Sequence, residues 1–126
     1  MFERQILAKL EQWKTSSRRK PLILRGARQV GKTTVVNQFG KQFDNYLYFN
    51  MEMAENVRMF EMAIPLDDLV DMLFASQGKA RTPGNILIFI DEIQNSPKTI
   101  GLLRYFYERR PDLHVIALSM YGDDHL

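Results

Sequence analysis

The sequence predicts an α/β fold in which a mostly parallel sheet lies between two layers of helices. Three observations predict it. The apolar run Leu22-Ile23-Leu24 leads into a glycine-containing stretch, Gly26 to Thr33, and then into Val35, Val36, Phe39 and Phe43 at helical spacing. Ile86-Leu87-Ile88-Phe89-Ile90 places five apolar residues in a row, as suits a strand buried on both faces. Leu113 to Leu118 follows a helical segment and reads as a further strand of the same kind.

Residues 2–14 open the chain as an amphipathic helix, because Phe2, Ile6, Leu7, Leu10 and Trp13 form an apolar stripe with polar residues between. Trp13 has two uses there, stacking beside a nucleotide base or packing the helix onto the core, and packing is the commoner. Thr15 to Pro21 breaks the helix and leads into the first strand. Gly26-Ala27-Arg28-Gln29-Val30-Gly31-Lys32-Thr33 then satisfies G-x-x-x-x-G-K-[ST] in full, with the strand before it and the helix after it that the motif requires. Such a turn points backbone N–H groups at phosphate oxygens. Gly26 and Gly31 supply freedom where a side chain would obstruct the turn or the phosphate. Lys32 is expected to reach the β- and γ-phosphates and the Thr33 hydroxyl to ligate Mg²⁺.

The loop's helix should end between Gly40 and Phe43, and aromatic-rich Tyr46 to Asn50 reads as the second strand. Glu52 and Glu55 beyond it read as a solvated edge. Pro65 opens a helix with Leu66, Leu69, Val70, Leu73 and Phe74 on one face. Asp67, Asp68 and Asp71 suit its dipole without a metal. Ser76 to Asn85, with Gly78, Pro83 and Gly84, is a loop. Asp91 and Glu92 stand where the third strand ends. Ligands of open parallel sheets bind beyond the carboxyl ends of the strands, the end that also carries the glycine loop. Asp91 is therefore expected to hold Mg²⁺, directly or through water, and Glu92 to orient a water attacking the γ-phosphate. A helix over Thr99 to Arg109 and a turn at Pro111-Asp112 precede the fourth strand. His114, at that strand's start, lies away from the catalytic end and reads as surface or structural. Tyr121 to Leu126 is a polar tail whose Asp123-Asp124-His125 is expected to be solvated rather than metal-bound.

With 126 residues and 45% hydrophobic content the chain has room for one domain with a real core. It has no cysteine, which excludes disulfides and thiolate metal sites. The start, Met1-Phe2-Glu3-Arg4, has no apolar signal region, and no run reaches transmembrane length. A soluble, cytoplasmic protein without membrane contact is expected. Net charge is +2 but uneven: residues 1–45 hold ten Lys/Arg against three acids, and residues 46–126 hold seven against twelve. The basic half would suit nucleic acid. However, Arg28 and Lys32 belong to the glycine loop and several others sit on helix surfaces, so charge alone does not establish such a partner.

With both motifs placed, the sequence resembles AAA+-type P-loop ATPases, and more narrowly prokaryotic AAA-domain ATP-binding proteins that carry a carboxy-terminal domain of unknown function. The resemblance runs from the leading helix with Trp13 through Gly26–Thr33, Tyr46–Asn50 and Ile88–Gln94 to His114–Ala117. Asp91-Glu92-Ile93-Gln94 is its most family-specific part. It implies a three-layer α-β-α P-loop NTPase core with four of the usual five strands, in the order 5-1-4-3-2, preceded by the amphipathic helix. It implies that Gly26, Ala27, Arg28, Gln29, Val30, Gly31, Lys32, Thr33 and Thr34 bind ATP. Thr33 and Asp91 would hold Mg²⁺, and Lys32 and Glu92 would act in catalysis, as the Walker A and Walker B residues. Relatives tend to read Thr-Gly-Ser just past the fourth strand, where one residue senses nucleotide. The present chain reads Leu118-Ser119-Met120, so Ser119 is the candidate in a displaced register. Relatives continue with a fifth strand, an arginine that contacts a neighbouring nucleotide, a helical lid and the further domain. The chain thus resembles the front portion of a longer protein: a single unit, 1–126, with leading helix and linker (1–20), core (21–118) and irregular tail (119–126). ATP hydrolysis is expected to be weak without the arginine. Leu22-Ile23-Leu24 is expected to form an open edge that invites self-association.

Other functions compete. A P-loop small-molecule kinase shares the phosphate loop, but Glu92 favours hydrolysis, since a kinase positions an acceptor hydroxyl rather than a water. A GTPase lacks support, as Asn95-Ser96-Pro97-Lys98 does not match the guanine-reading Asn-Lys-x-Asp. A non-catalytic nucleotide-binding fragment is the third alternative.

Overall fold

The computed structural model describes residues 2–17, 19–26 and 31–121. Ten elements follow in order: α1 (Phe2–Lys14), β1 (Leu22–Arg25), α2 (Lys32–Gly40), β2 (Asn45–Asn50), α3 (Ala54–Phe60), α4 (Leu66–Ser76), β3 (Ile86–Asp91), a 3₁₀ turn (Ile93–Asn95), α5 (Pro97–Arg109) and β4 (His114–Ser119). All four strands are parallel, in the order β1-β4-β3-β2. This is the order expected for the first four strands. The register pairs Arg25 with Ser119, Asp91 with Leu118, and Asn50 with Asp91, so the carboxyl ends of all four strands meet at one edge.

The two faces of the sheet bury separate apolar clusters. On one face Ile6 and Leu10 of α1 and Val35, Val36 and Phe39 of α2 pack on Leu24, Leu87, Phe89 and Ile116. On the other, α3, α4 and α5 bring Phe60, Leu73, Phe74 and Phe106 onto Leu47, Phe49, Ile88, Ile90 and Val115. Both faces of β3 are therefore covered, and every one of its residues is buried. The apolar run that suggested a doubly buried strand is the central hydrophobic element of the chain.

Several boundaries and one element depart from expectation. α3 is a seven-residue helix where Glu52 and Glu55 suggested only a solvated edge. Its Met53 N-cap offers no side-chain bond, so the sequence held no start signal. Both glutamates are nevertheless exposed. α5 begins at Pro97, two residues earlier than expected. Ser96 caps it by accepting from the Thr99 amide, with proline in the first turn. α4 opens after Pro65 as read, and Asp67 on its first turn accepts a 2.7 Å bond from Arg110, which also holds Asp112.

Trp13 packs rather than faces a nucleotide. Its Nε1 donates to the Lys20 carbonyl at 2.7 Å, and its ring meets His114 edge-on at the amino-terminal end of β4, opposite the glycine loop. His114 is buried, not on the surface, in a cluster with Trp13 and Phe43. Its Nε2 lies 3.3 Å from the Lys14 carbonyl oxygen, a partner that only an N–H can face.

The outer edge of β2 is closed by side chains. Tyr46, Tyr48 and Asn50 turn their carbonyls away from β3. Lys79 donates to the first, Gln77 to the second and Asn56 to the third. Each donor takes up an acceptor that an added strand would need.

Burial, with Arg19 and Lys14 nearby, pushes the His114 pKa from 6.5 down to about 4. Between those values the unfolded chain holds a proton that the folded chain excludes. Stability is thus full above about 6.5 and falls as the pH drops toward 4. The melting temperature should decline over this window, and His114→Phe should flatten much of the slope while keeping a ring against Trp13 and Phe43. Equal slopes for the two chains would mean that the ring accepts its proton inside the fold.

Candidate functional site

Among the described residues, Gly26, Gly31, Lys32, Thr33, Asp91, Glu92 and Ser119 stand at the carboxyl ends of the strands or the turns that follow them. Gly26 (φ 141°) and Gly31 (φ 116°) flank the loop in conformations that side chains rarely adopt, which accounts for glycine at both. Ala27, Arg28, Gln29 and Val30 lie outside the described residues, as does the tail triplet Asp123-Asp124-His125. Gly31 caps α2 and accepts from the Val35 amide at 2.8 Å, so helical bonding begins at once. Lys32 is only 2% exposed, and its Nζ donates to the Arg25 carbonyl at 3.0 Å. A lysine this buried is unusual and must be engaged by polar groups. Thr34 lies exposed on the first turn of α2.

Thr33 and Asp91 meet. The Thr33 hydroxyl donates to Asp91 Oδ2 at 3.0 Å, although the two are 58 residues apart. The Tyr48 hydroxyl donates to the same oxygen at 2.8 Å. Asp91 is 5% exposed, and its Oδ1 is buried with no hydrogen-bond partner among the described residues. Burial raises the Asp91 pKa, and the bonds from Tyr48 and Thr33 work against that rise. Burial likewise raises the Tyr48 pKa, helped by its bond to Asp91, so the phenol keeps its proton and acts as donor.

Glu92 follows with φ 57° and ψ 44°, the one non-glycine residue at positive φ among those described. Half-buried, it accepts from Gln94 Nε2 at 2.8 Å through Oε1. Gln94 Oε1 in turn accepts from the Met120 amide at 3.3 Å, which ties Glu92 to the chain leaving β4. Ser119 ends β4, buried, one residue beyond the partner of Asp91, and its Oγ accepts from the Tyr121 amide at 3.2 Å.

The arrangement supplies a buried cation, a hydroxyl and a carboxylate in contact with each other, and a second carboxylate on a turn held by Gln94. Tyr48 and Gln94 were not among the residues expected to serve the site. Gln94 lay within the most family-specific stretch, whereas nothing in the alternation of Tyr46 to Asn50 marked Tyr48. Among the described residues no group of three or more His, Cys, Asp or Glu side chains could hold a metal by itself. No helix among them is long and apolar enough to cross a membrane.

Residues 18–119 match a protein family described as AAA domain. No curated protein gives a match to the chain.

Proposed function

Since the chain belongs to this AAA domain family, which points to nucleotide binding and ATPase-type activity, we propose that it binds ATP with Mg²⁺ through the 26–34 loop and Asp91 and hydrolyses the γ-phosphate. The observation that carries the proposal is the contact of Thr33 with Asp91 at the carboxyl edge of a parallel sheet, with buried Lys32 preceding Thr33 at the start of α2. The pair fits a hard cation. Thr33 spends its single proton on Asp91, so its oxygen keeps lone pairs for an ion. Asp91 Oδ1 is a buried carboxyl oxygen without a hydrogen-bond partner among the described residues, a costly arrangement that a cation relieves. When bound, Mg²⁺ would neutralise charge on the phosphate oxygens.

Lys32 supplies the protein's own positive charge to the β- and γ-phosphates. Gly26 and Gly31, both at positive φ, give the backbone the freedom that a phosphate loop needs. Glu92 orients the attacking water, held by Gln94. Ser119, at the end of β4 and one residue past the register partner of Asp91, is the proposed nucleotide sensor.

Lys32→Ala should weaken ATP affinity at least tenfold, about 1.4 kcal/mol or more. Calorimetry giving equal affinities for mutant and wild type would remove the basis of the proposal. The two acids should separate. Asp91→Asn should weaken Mg²⁺-dependent binding, whereas Glu92→Gln should leave binding nearly intact and lower turnover. A glutamine variant that hydrolyses ATP as fast as wild type would reduce Glu92 to a turn residue.

We also propose that the chain self-associates through β1. Unlike β2, Leu22–Arg25 receives a single side-chain donor among the described residues, Lys32 at the Arg25 carbonyl. An uncapped parallel edge invites another strand. Light scattering across a range of concentrations should show mass rising with concentration, and Mg-ATP should raise the melting temperature by mass action. A monomer at every concentration would mean that the edge is covered.

A further inference from the structure

Asp91 Oδ2 takes two hydroxyl protons, one from the loop helix and one from β2, while Oδ1 takes none among the described residues. The donor from β2, Tyr48, is fixed from both sides, by Phe89 of β3 and by Gln77. Its ring packs against Phe89 at 5.3 Å, its carbonyl accepts from Gln77, and its register partner across the sheet is Phe89, two residues before Asp91. Tyr46, the next residue on the same side of β2, sends its hydroxyl elsewhere, to Asn37 of α2. The phenol of Tyr48 is thus aimed at the carboxylate by the strand itself.

An aspartate carboxylate rotates over a broad, shallow torsional well. One hydrogen bond from Thr33 would restrain it weakly, since that hydroxyl must also serve an ion. We propose that Tyr48 is a positioning residue for Asp91. It anchors Oδ2 and so leaves Oδ1 as the oxygen available to the Mg²⁺ ion or to a water bound to it. The inference rests on the Mg-nucleotide reading of the site. Outer partners of metal ligands commonly change metal affinity 10–100-fold when removed.

Tyr48→Phe tests this, because it keeps the ring and its Phe89 contact and deletes only the hydroxyl. A fluorescent ATP analogue, titrated into the full chain with and without Mg²⁺, reads binding without requiring turnover. Tyr48→Phe should need roughly tenfold more Mg²⁺ for half-maximal enhancement of binding. Its Mg²⁺-free affinity should match wild type, and so should that of Tyr46→Phe in both conditions. In an Asp91→Asn background, Tyr48→Phe should add little, since the effect passes through that carboxylate. An unchanged Mg²⁺ requirement in Tyr48→Phe would overturn the inference and leave the Mg-nucleotide reading standing. Equal shifts in Tyr46→Phe and Tyr48→Phe would assign the effect to the sheet and overturn it too. A wild-type chain whose binding ignores Mg²⁺ would overturn the reading of the site itself, and this inference with it. Melting curves of each variant identify any change that comes from loss of fold.

Discussion

A carboxylate at the end of a fully buried strand loses the water that would solvate it. Asp91 closes β3, in which every residue is buried. The surrounding structure answers that loss with hydroxyl donors from two other elements, Thr33 on α2 and Tyr48 on β2. These bonds depend on the strands running parallel. Only then do the end of β1, the start of α2 and the end of β3 share one edge. β4 lies between β1 and β3, yet the start of α2 contacts both, through Lys32 at the Arg25 carbonyl and Thr33 at Asp91. The carboxylate therefore ties together three elements that are distant in sequence, α2, β2 and β3.

The sheet treats its two edges differently, and one of them bears on the site. Gln77, Lys79 and Asn56 close β2 by occupying its outward carbonyls. Gln77 does so at Tyr48, the residue whose phenol reaches Asp91. The contact that closes the edge thereby also holds the backbone from which a donor to the buried carboxylate projects. β2 is an edge strand by position, yet its central tyrosine is held from both sides, by Gln77 and by β3.

Much of this was legible in the sequence where a pattern is tied to one geometry. Five consecutive apolar residues marked β3, and the glycine spacing marked the loop, because the positive φ of Gly26 and Gly31 is open to few other residues. What was not legible came from side chains meeting across the fold. His114 could be read as surface or structural, and the enclosure by α1 and Phe43 that decides for a structural role is not written in the sequence. Tyr48 looked like one more aromatic of a strand, since its value lies in a hydrogen bond to a residue 43 positions later. α3 escaped notice because a seven-residue helix shows barely two turns of periodicity and lacks a capping side chain here.

Glu92 shows how strain and position combine. A glutamate in the left-handed region is held at a cost on the order of 1 kcal/mol, and such a cost persists only where neighbours impose it. The imposing neighbours are visible. β3 ends at a buried Asp91, the 3₁₀ turn starts at Ile93, which is buried, and the chain between them must reverse within one residue. An extended or right-handed Glu92 would carry Ile93 away from the core. The reversal also places the Glu92 carboxylate beside Gln94, whose amide faces the glutamate on one side and the backbone leaving β4 on the other. The conformation that buries Ile93 therefore also links Glu92 to the strand that ends at Ser119.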